Sequence, residues 1–183
     1  ESYLPEVSLK HFIDDSSELY KKIKVNRNLD DESILMGLNS AYQILVVPVA
    51  QRIRTQFEQD VWEQGFCPIC GTGPEMGKIS GKDGHFYLSC ALCFTEWKYS
   101  RIGCPFCGNT NHQELSHFSS DEYKGFRVNI CRKCDSYIKV TLETDLNRKH
   151  VPVVDSIITL ELDSVAIDEG FQHGEICYEE IKS

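Results

Sequence analysis

No stretch of 18 uninterrupted apolar residues occurs in this 183-residue chain, so the sequence offers no membrane-spanning helix. Positive charge is in deficit, with 19 Lys and Arg against 28 Asp and Glu and a net charge of −9. Nucleic-acid binding rests on neutralising phosphates, so this balance argues against a free-standing nucleic-acid module. Residues Glu1 to Glu6 carry neither the basic nor the apolar stretch of a signal peptide, and none is expected. A phosphate-cradling glycine loop, a convincing carboxylate pair and a Ser/His/Asp set are also missing from the pattern.

What the sequence does hold is cysteine. It has nine, of which eight fall in four C-x-x-C pairs and Cys177 is left over. With no export signal, adjacent C-x-x-C pairs read as metal ligands rather than disulfides, which implies a reducing compartment, the cytoplasm. Cys177 reads as a free thiol outside any site. The charge follows the same division: residues 1–66 carry −4, residues 67–140 carry +2 and residues 141–183 carry −7. The excess of cations lies where the thiolates would be.

The first segment, 1–64, reads as helical. Leu9 to Ile23 has apolar residues on roughly one face. A cluster of N-cap residues, Asn28 to Ser33, precedes a longer stripe: Ile34, Leu38, Tyr42, Leu45, Val49, Ile53, Phe57 and Val61. That stripe predicts an amphipathic helix packed into a core, kinked at Pro48.

The middle segment contains a repeat. Gly84 to Cys93 parallels Gly125 to Cys134, each following a C-P-x-C-G turn, Cys67–Gly71 or Cys104–Gly108. Each ends in an alternating strand, Thr95–Tyr99 or Ser136–Val140. One half is a knuckle, a strand, a hairpin, a second knuckle and a closing strand. The boundaries are 65–101 for the first half and 102–142 for the second. In the last segment, 143–183, Pro152 suits the start of a helix that Gly170 stops, with an acidic tail beyond. A strand over Ile158 to Asp163 is the competing reading. The expected fold is therefore α+β: N-terminal helices, two tandem rubredoxin-like (zinc-ribbon-type) modules and a C-terminal helix.

Two cysteines separated by two residues fit one tight turn, with both sulfurs aimed at one point. Four such sulfurs at tetrahedral corners suit Zn²⁺ or iron. Pro68 and Pro105 pre-set the turn. Gly71 and Gly108 allow the positive φ that follows it, and Asp135 tolerates one. Phe94 does not, so the second knuckle is expected to differ. The repeat groups Cys67, Cys70, Cys90 and Cys93 as one site and Cys104, Cys107, Cys131 and Cys134 as the other. A cross-braced grouping is the alternative. No catalytic residue is assigned. His85, His112 and His117 read as surface residues. Trp97, Tyr99, Phe86 and Tyr87, beside Lys98 and Arg101, read as packing between the ribbons rather than as a base-stacking surface.

The runs Trp62–Pro74, Tyr87–Trp97, Cys104–Cys107, Cys131–Lys139 and Pro152–Asp163 resemble the FdhE family of formate dehydrogenase accessory proteins. Fainter likeness extends this to about residues 31–172. The resemblance implies a cytoplasmic maturation factor, not an enzyme, that contacts the catalytic subunit of formate dehydrogenase. It also implies a helical part followed by two rubredoxin-like modules, with all eight paired cysteines as metal ligands. Two other functions fit four-cysteine sites: a rubredoxin-like electron carrier and a zinc-ribbon nucleic-acid module.

Overall fold

The structure is a computed structural model that describes residues 31–56 and 62–176. It divides into two compact units, one up to Pro48 and one from Val49 onward. The expected helix Leu9–Ile23 and the thiol Cys177 lie outside the described residues.

Helix α1, Asp31–Ile53, runs through Pro48 and continues as a 3₁₀ turn, Arg54–Gln56. Of the expected stripe, Tyr42 and Ile53 are half-buried, while Leu45 is 69% exposed and Val49 51%, and neighbouring Ile44 is 74% exposed. The cause lies in the sequence. Ile44, Leu45, Val46, Val47 and Val49 place apolar groups on every side of the helix, so no one face can take them all inward. Trp62 to Gln64 are not helical.

The remainder is built on one sheet. Its strands are β1 (Pro74–Ile79), β2 (Phe86–Cys90), β3 (Glu96–Tyr99), β4 (Leu115–Phe118), β5 (Phe126–Cys131), β6 (Ser136–Leu142) and β7 (Gln172–His173). Each half of the repeat is a three-stranded antiparallel meander. The halves are not separate sheets. Strand β1 pairs in parallel with β6, from Met76 opposite Lys139 to Ile79 opposite Leu142, giving the order β3-β2-β1-β6-β5-β4. The seam crosses Gly77. A Cβ there would lie 2.5 Å from the Phe86 ring, so only glycine lets that ring lie flat on the seam.

Alternation along the strands divides the buried residues between two faces. Phe86, Leu88, Trp97, Ile138 and Val140 share one face by register. On the other, Phe126, Val128, Ile130 and Tyr137 pack with Leu162, Ala166 and Phe171 of the C-terminal segment. That segment is helical, in more than one piece: α2 (Glu143–Leu146), α3 (Pro152–Ile158) and α4 (Leu160–Asp168). Thr159 separates the last two, where a single helix reads from the sequence. Its hydroxyl donates to the Asp155 carbonyl at 2.6 Å, the local competition that bends or ends helices at threonine. Gly170, at φ 92°, ends α4 and turns the chain into β7, which pairs with β6.

The seam side of β6 carries charge inward. Lys139 is 1% exposed, and its ammonium donates to Asp163 Oδ2 at 2.5 Å and to the Ser156 carbonyl at 2.9 Å. Tyr137 donates to the other Asp163 oxygen at 2.9 Å.

Candidate metal centres

All four knuckles share one backbone form. The residue after the second cysteine is left-handed in each: Gly71 at 77°, Phe94 at 57°, Gly108 at 67° and Asp135 at 49°. The different geometry expected at Phe94 is not found. A left-handed phenylalanine costs about 1–2 kcal/mol relative to glycine. The cost is met because the turn is bound on both sides, with the Cys90 amide donating to the Thr95 carbonyl at 2.9 Å. The same closure recurs from Cys67 to Thr72 at 2.8 Å and from Cys104 to Asn109 at 2.9 Å.

This turn brings the sulfurs together within each half. Cys67, Cys70, Cys90 and Cys93 form one tetrad, and Cys104, Cys107, Cys131 and Cys134 the other, with every sulfur of a tetrad within 4.8 Å of its fellows. The cross-braced alternative is not adopted. A tetrahedron with metal–sulfur bonds of about 2.3 Å has edges of about 3.8 Å. The second tetrad shows 3.7 Å from Cys104 to Cys134 and 3.8 Å from Cys107 to Cys131. The first is slightly tighter, at 3.6 Å from Cys67 to Cys93 and 3.4 Å from Cys70 to Cys90. Each tetrad could hold one metal ion.

The surroundings suit thiolates. The Ile69 amide donates to Cys67 at 3.4 Å, and the Leu92 amide to Cys90 at 3.3 Å. Equivalent amides of Phe106 and Cys107 reach Cys104, and those of Lys133 and Cys134 reach Cys131. A further polar group stands two residues after the second cysteine of every knuckle: Thr72, Thr95, Asn109 and Ser136. Thr95 lies 3.1 Å from Cys93 and Ser136 3.0 Å from Cys134, while Asn109 donates to Cys131 at 3.6 Å. Thr72 holds Cys70 down in the same way. These groups spread the sulfurs' negative charge and fix their orientation. Sequence reading passed over them, although the repeated C-x-[T/N/S] was there to be seen.

Sulfurs this close cannot all lose protons unaided. Hydrogen bonds with Cys67, Cys70 and Cys90 hold Cys93 far below the ordinary thiol range, and those with Cys67, Cys70 and Cys93 drive Cys90 far above it. Cys70 is drawn down to about 7, chiefly by Cys67. In the second tetrad burial pushes Cys104 up to about 11 and Cys107 higher. A dication would resolve this conflict, because its attraction for each thiolate outweighs the repulsion among them. The second tetrad also faces outward: Cys134 is exposed, whereas three of the first four are buried.

The other residues picked out in the sequence lie apart from the tetrads' ligand shells. His85, His112 and His117 are exposed. Trp97 and Phe86 are buried, and Trp97 donates through its indole to the Gln64 carbonyl at 3.0 Å, so neither is a platform for a base.

One constellation corrects the sequence reading. Ser89 Oγ lies 3.2 Å from His150 Nε2, and His150 Nδ1 lies 2.7 Å from Asp155 Oδ2. This is a serine–histidine–aspartate line, assembled from β2, the loop after α2 and α3. It is sealed: Ser89 and Asp155 are 0% exposed, and no substrate could reach the hydroxyl. Thr141 of β6 donates to Asp155 at 3.0 Å, and Arg148 pairs with it at 2.6 Å. Burial drives His150 below its ordinary pKa against the pull of Asp155, which keeps the ring neutral. Burial would raise Asp155, but the bonds from Arg148, His150, Val151 and Thr141 outweigh it and hold the carboxyl low. The line fastens the C-terminal segment to both halves of the sheet.

With the tetrads placed, likeness to known proteins has a structural meaning. The family model described as FdhE, central domain, matches residues 66–101, which carry the first tetrad. A protein FdhE homolog of Aquifex aeolicus is 30% identical over 150 residues, covering 80% of this chain and 52% of that one. Protein FdhE of Escherichia coli is 32% identical over 117 residues, covering 62% of this chain and 37% of that one. The crystal structure of the FdhE protein from Pseudomonas aeruginosa matches at a TM-score of 0.60 and 29% identity, over 74% of this chain and 48% of that one. The chain thus spans about half, or less, of the length of these relatives. Motif, relatives and fold agree in likening this stretch of the chain to FdhE proteins.

Proposed function

We propose that this chain is a cytoplasmic, non-catalytic accessory protein that supports maturation, assembly or activity of formate dehydrogenase by contacting its catalytic subunit. In this reading the eight paired cysteines hold two metal ions, Zn²⁺ or iron, in two rubredoxin-like modules spanning 65–101 and 102–142. The observation that carries it is the pair of four-sulfur tetrads lying within the stretch that resembles FdhE proteins. The metals organise the knuckles and the sheet, and recognition falls to the surface they support. Among the described residues, the serine–histidine–aspartate line is sealed from solvent.

The test is recovery of partners. A tagged chain expressed in its native host should co-purify the formate dehydrogenase catalytic subunit, and Cys67→Ser with Cys104→Ser should abolish recovery. Failure to recover that subunit from cells actively making the enzyme would sink the proposal.

A second reading, electron transfer by bound iron, is favoured by one observation, the exposure of Cys134 at the edge of the second tetrad. It requires a visible absorption band that bleaches on one-electron reduction. A zinc-only preparation with full accessory activity would remove it.

A further inference from the structure

A cavity of about 180 Å³ lies beneath the linker that joins the two halves of the sheet. Arg101 enters it from the linker. Arg127 and Asn129 enter from β5, and His117 from β4, where it stands opposite Asn129, with His112 in the turn before it. No carboxylate among the described residues lines it, in a chain whose net charge is −9. Two guanidinium groups and two imidazoles thus converge where the rest of the molecule is acidic.

Arg127 is the informative member. Its Nε is fully buried and has no hydrogen-bond partner among the described residues. A buried cationic donor is ordinarily paired, because leaving it alone costs several kcal/mol, on the order of 1–3 for the hydrogen bond alone. Burial, and then the charge of Arg101, disfavour its protonated form. Arg101 has one backbone acceptor, the Gly84 carbonyl at 3.3 Å, and keeps the remaining fork of its guanidinium for another group.

We infer that this cavity binds an oxyanion of the phosphate class, held between Arg101 and Arg127 with Asn129 as a neutral donor. Two guanidinium forks set on separate elements suit a tetrahedral dianion better than a flat monoanion. The volume sets the size. It slightly exceeds the roughly 150 Å³ that accepts a benzene ring, and falls below the roughly 300–1,000 Å³ of pockets that enclose whole ligands. A phosphate group fits inside, and anything attached to it would project into solvent. The same chemistry arises from free phosphate or from a phosphomonoester. This inference is independent of the metal and accessory-protein readings.

Calorimetric titration of the metal-loaded full chain tests it, with inorganic phosphate, glycerol 3-phosphate and acetate in separate arms. Saturable phosphate binding is expected, weakened at least tenfold by Arg127→Met and by Arg101→Gln and unchanged by Lys82→Gln, a surface cation outside the cavity. Glycerol 3-phosphate binding more tightly than phosphate would identify a phosphomonoester as the source. Phosphate binding at least as tightly would identify the free ion. Absence of saturable binding, or binding equal in wild type and both arginine variants, overturns the inference. Acetate binding as strong as phosphate overturns the assignment of ligand class. Without phosphate, Arg127→Met should melt no lower than wild type, since it removes an unpaired buried donor. A midpoint several degrees lower would make the guanidinium a structural element and also overturn the inference.

Discussion

Lys139 shows how single residues divide the energetics. Its ammonium lies inside the sheet, against Asp163 and the carbonyls at the end of α3. Truncation to alanine strands the Asp163 carboxylate beside Tyr137 and should cost about 3–5 kcal/mol, read as the urea midpoint of metal-loaded protein. Lys139→Met keeps the stem's volume and should recover part of that loss. Ser89→Ala leaves His150 Nε2 without its partner and should cost about 1–3 kcal/mol, with accessory activity unchanged in the folded variant. Loss of activity at full stability would instead make Ser89 a nucleophile. At this scale the tetrads were legible, because C-x-x-C spacing is local and the repeat pairs the turns. The serine–histidine–aspartate line was not. Its members stand at positions 89, 150 and 155, and only tertiary folding brings the first to the others. Phe94 was misread for the opposite reason: a local preference yielded to a closed, hydrogen-bonded turn.

Among elements, the two meanders were readable from alternation and from the repeated knuckles, while their union was not. Parallel pairing of β1 with β6 leaves no local signature, since each strand alone looks like the end of its own ribbon. Gly77 is the one hint, a glycine inside a strand where another group approaches closely. Gly77→Ala should push the Phe86 ring off the seam and lower stability by about 1–3 kcal/mol. Adding Phe86→Leu should restore much of it, and a double-mutant cycle by thermal melting checks the coupling. Leu45 and Val49 of α1 are more exposed than their spacing predicts. Spacing of three and four is satisfied by several overlapping stripes when apolar residues run consecutively, as they do from Ile44 to Val47.

For the whole molecule, acid and chelators should act differently. His150 has a folded pKa below its ordinary 6.5, so the unfolded chain takes up a proton that the folded chain refuses. Stability should therefore fall as pH drops below about 6.5, until the folded ring also titrates. Asp155 is held below its ordinary 3.8, so its contribution is present above that value and is lost as pH falls further. Urea titrations at fixed metal content should show the first loss, and His150→Gln should flatten it. Metal removal should be more drastic. Structural zinc can supply about 10–16 kcal/mol, which matches or exceeds the whole stability of a typical domain, about 5–15 kcal/mol. Because one sheet carries both tetrads, Cys67→Ser with Cys70→Ser should lower metal occupancy at the second tetrad as well as the first. Metal-to-protein ratios after dialysis read this directly. A second tetrad that keeps full occupancy would mean that the halves are energetically separate.

The parallel seam also imposes an order on biosynthesis. The partner of β1 is among the last strands to leave the ribosome, so the first ribbon emerges with one edge unsatisfied and stays so while the second ribbon is being made. An open edge invites pairing with other nascent chains. Filling the first tetrad at that stage would hold β1 and β2 in register before β6 arrives. Timing of metal supply relative to translation then becomes a determinant of yield, and metal-starved cells should accumulate this chain as aggregate rather than as a soluble apo form.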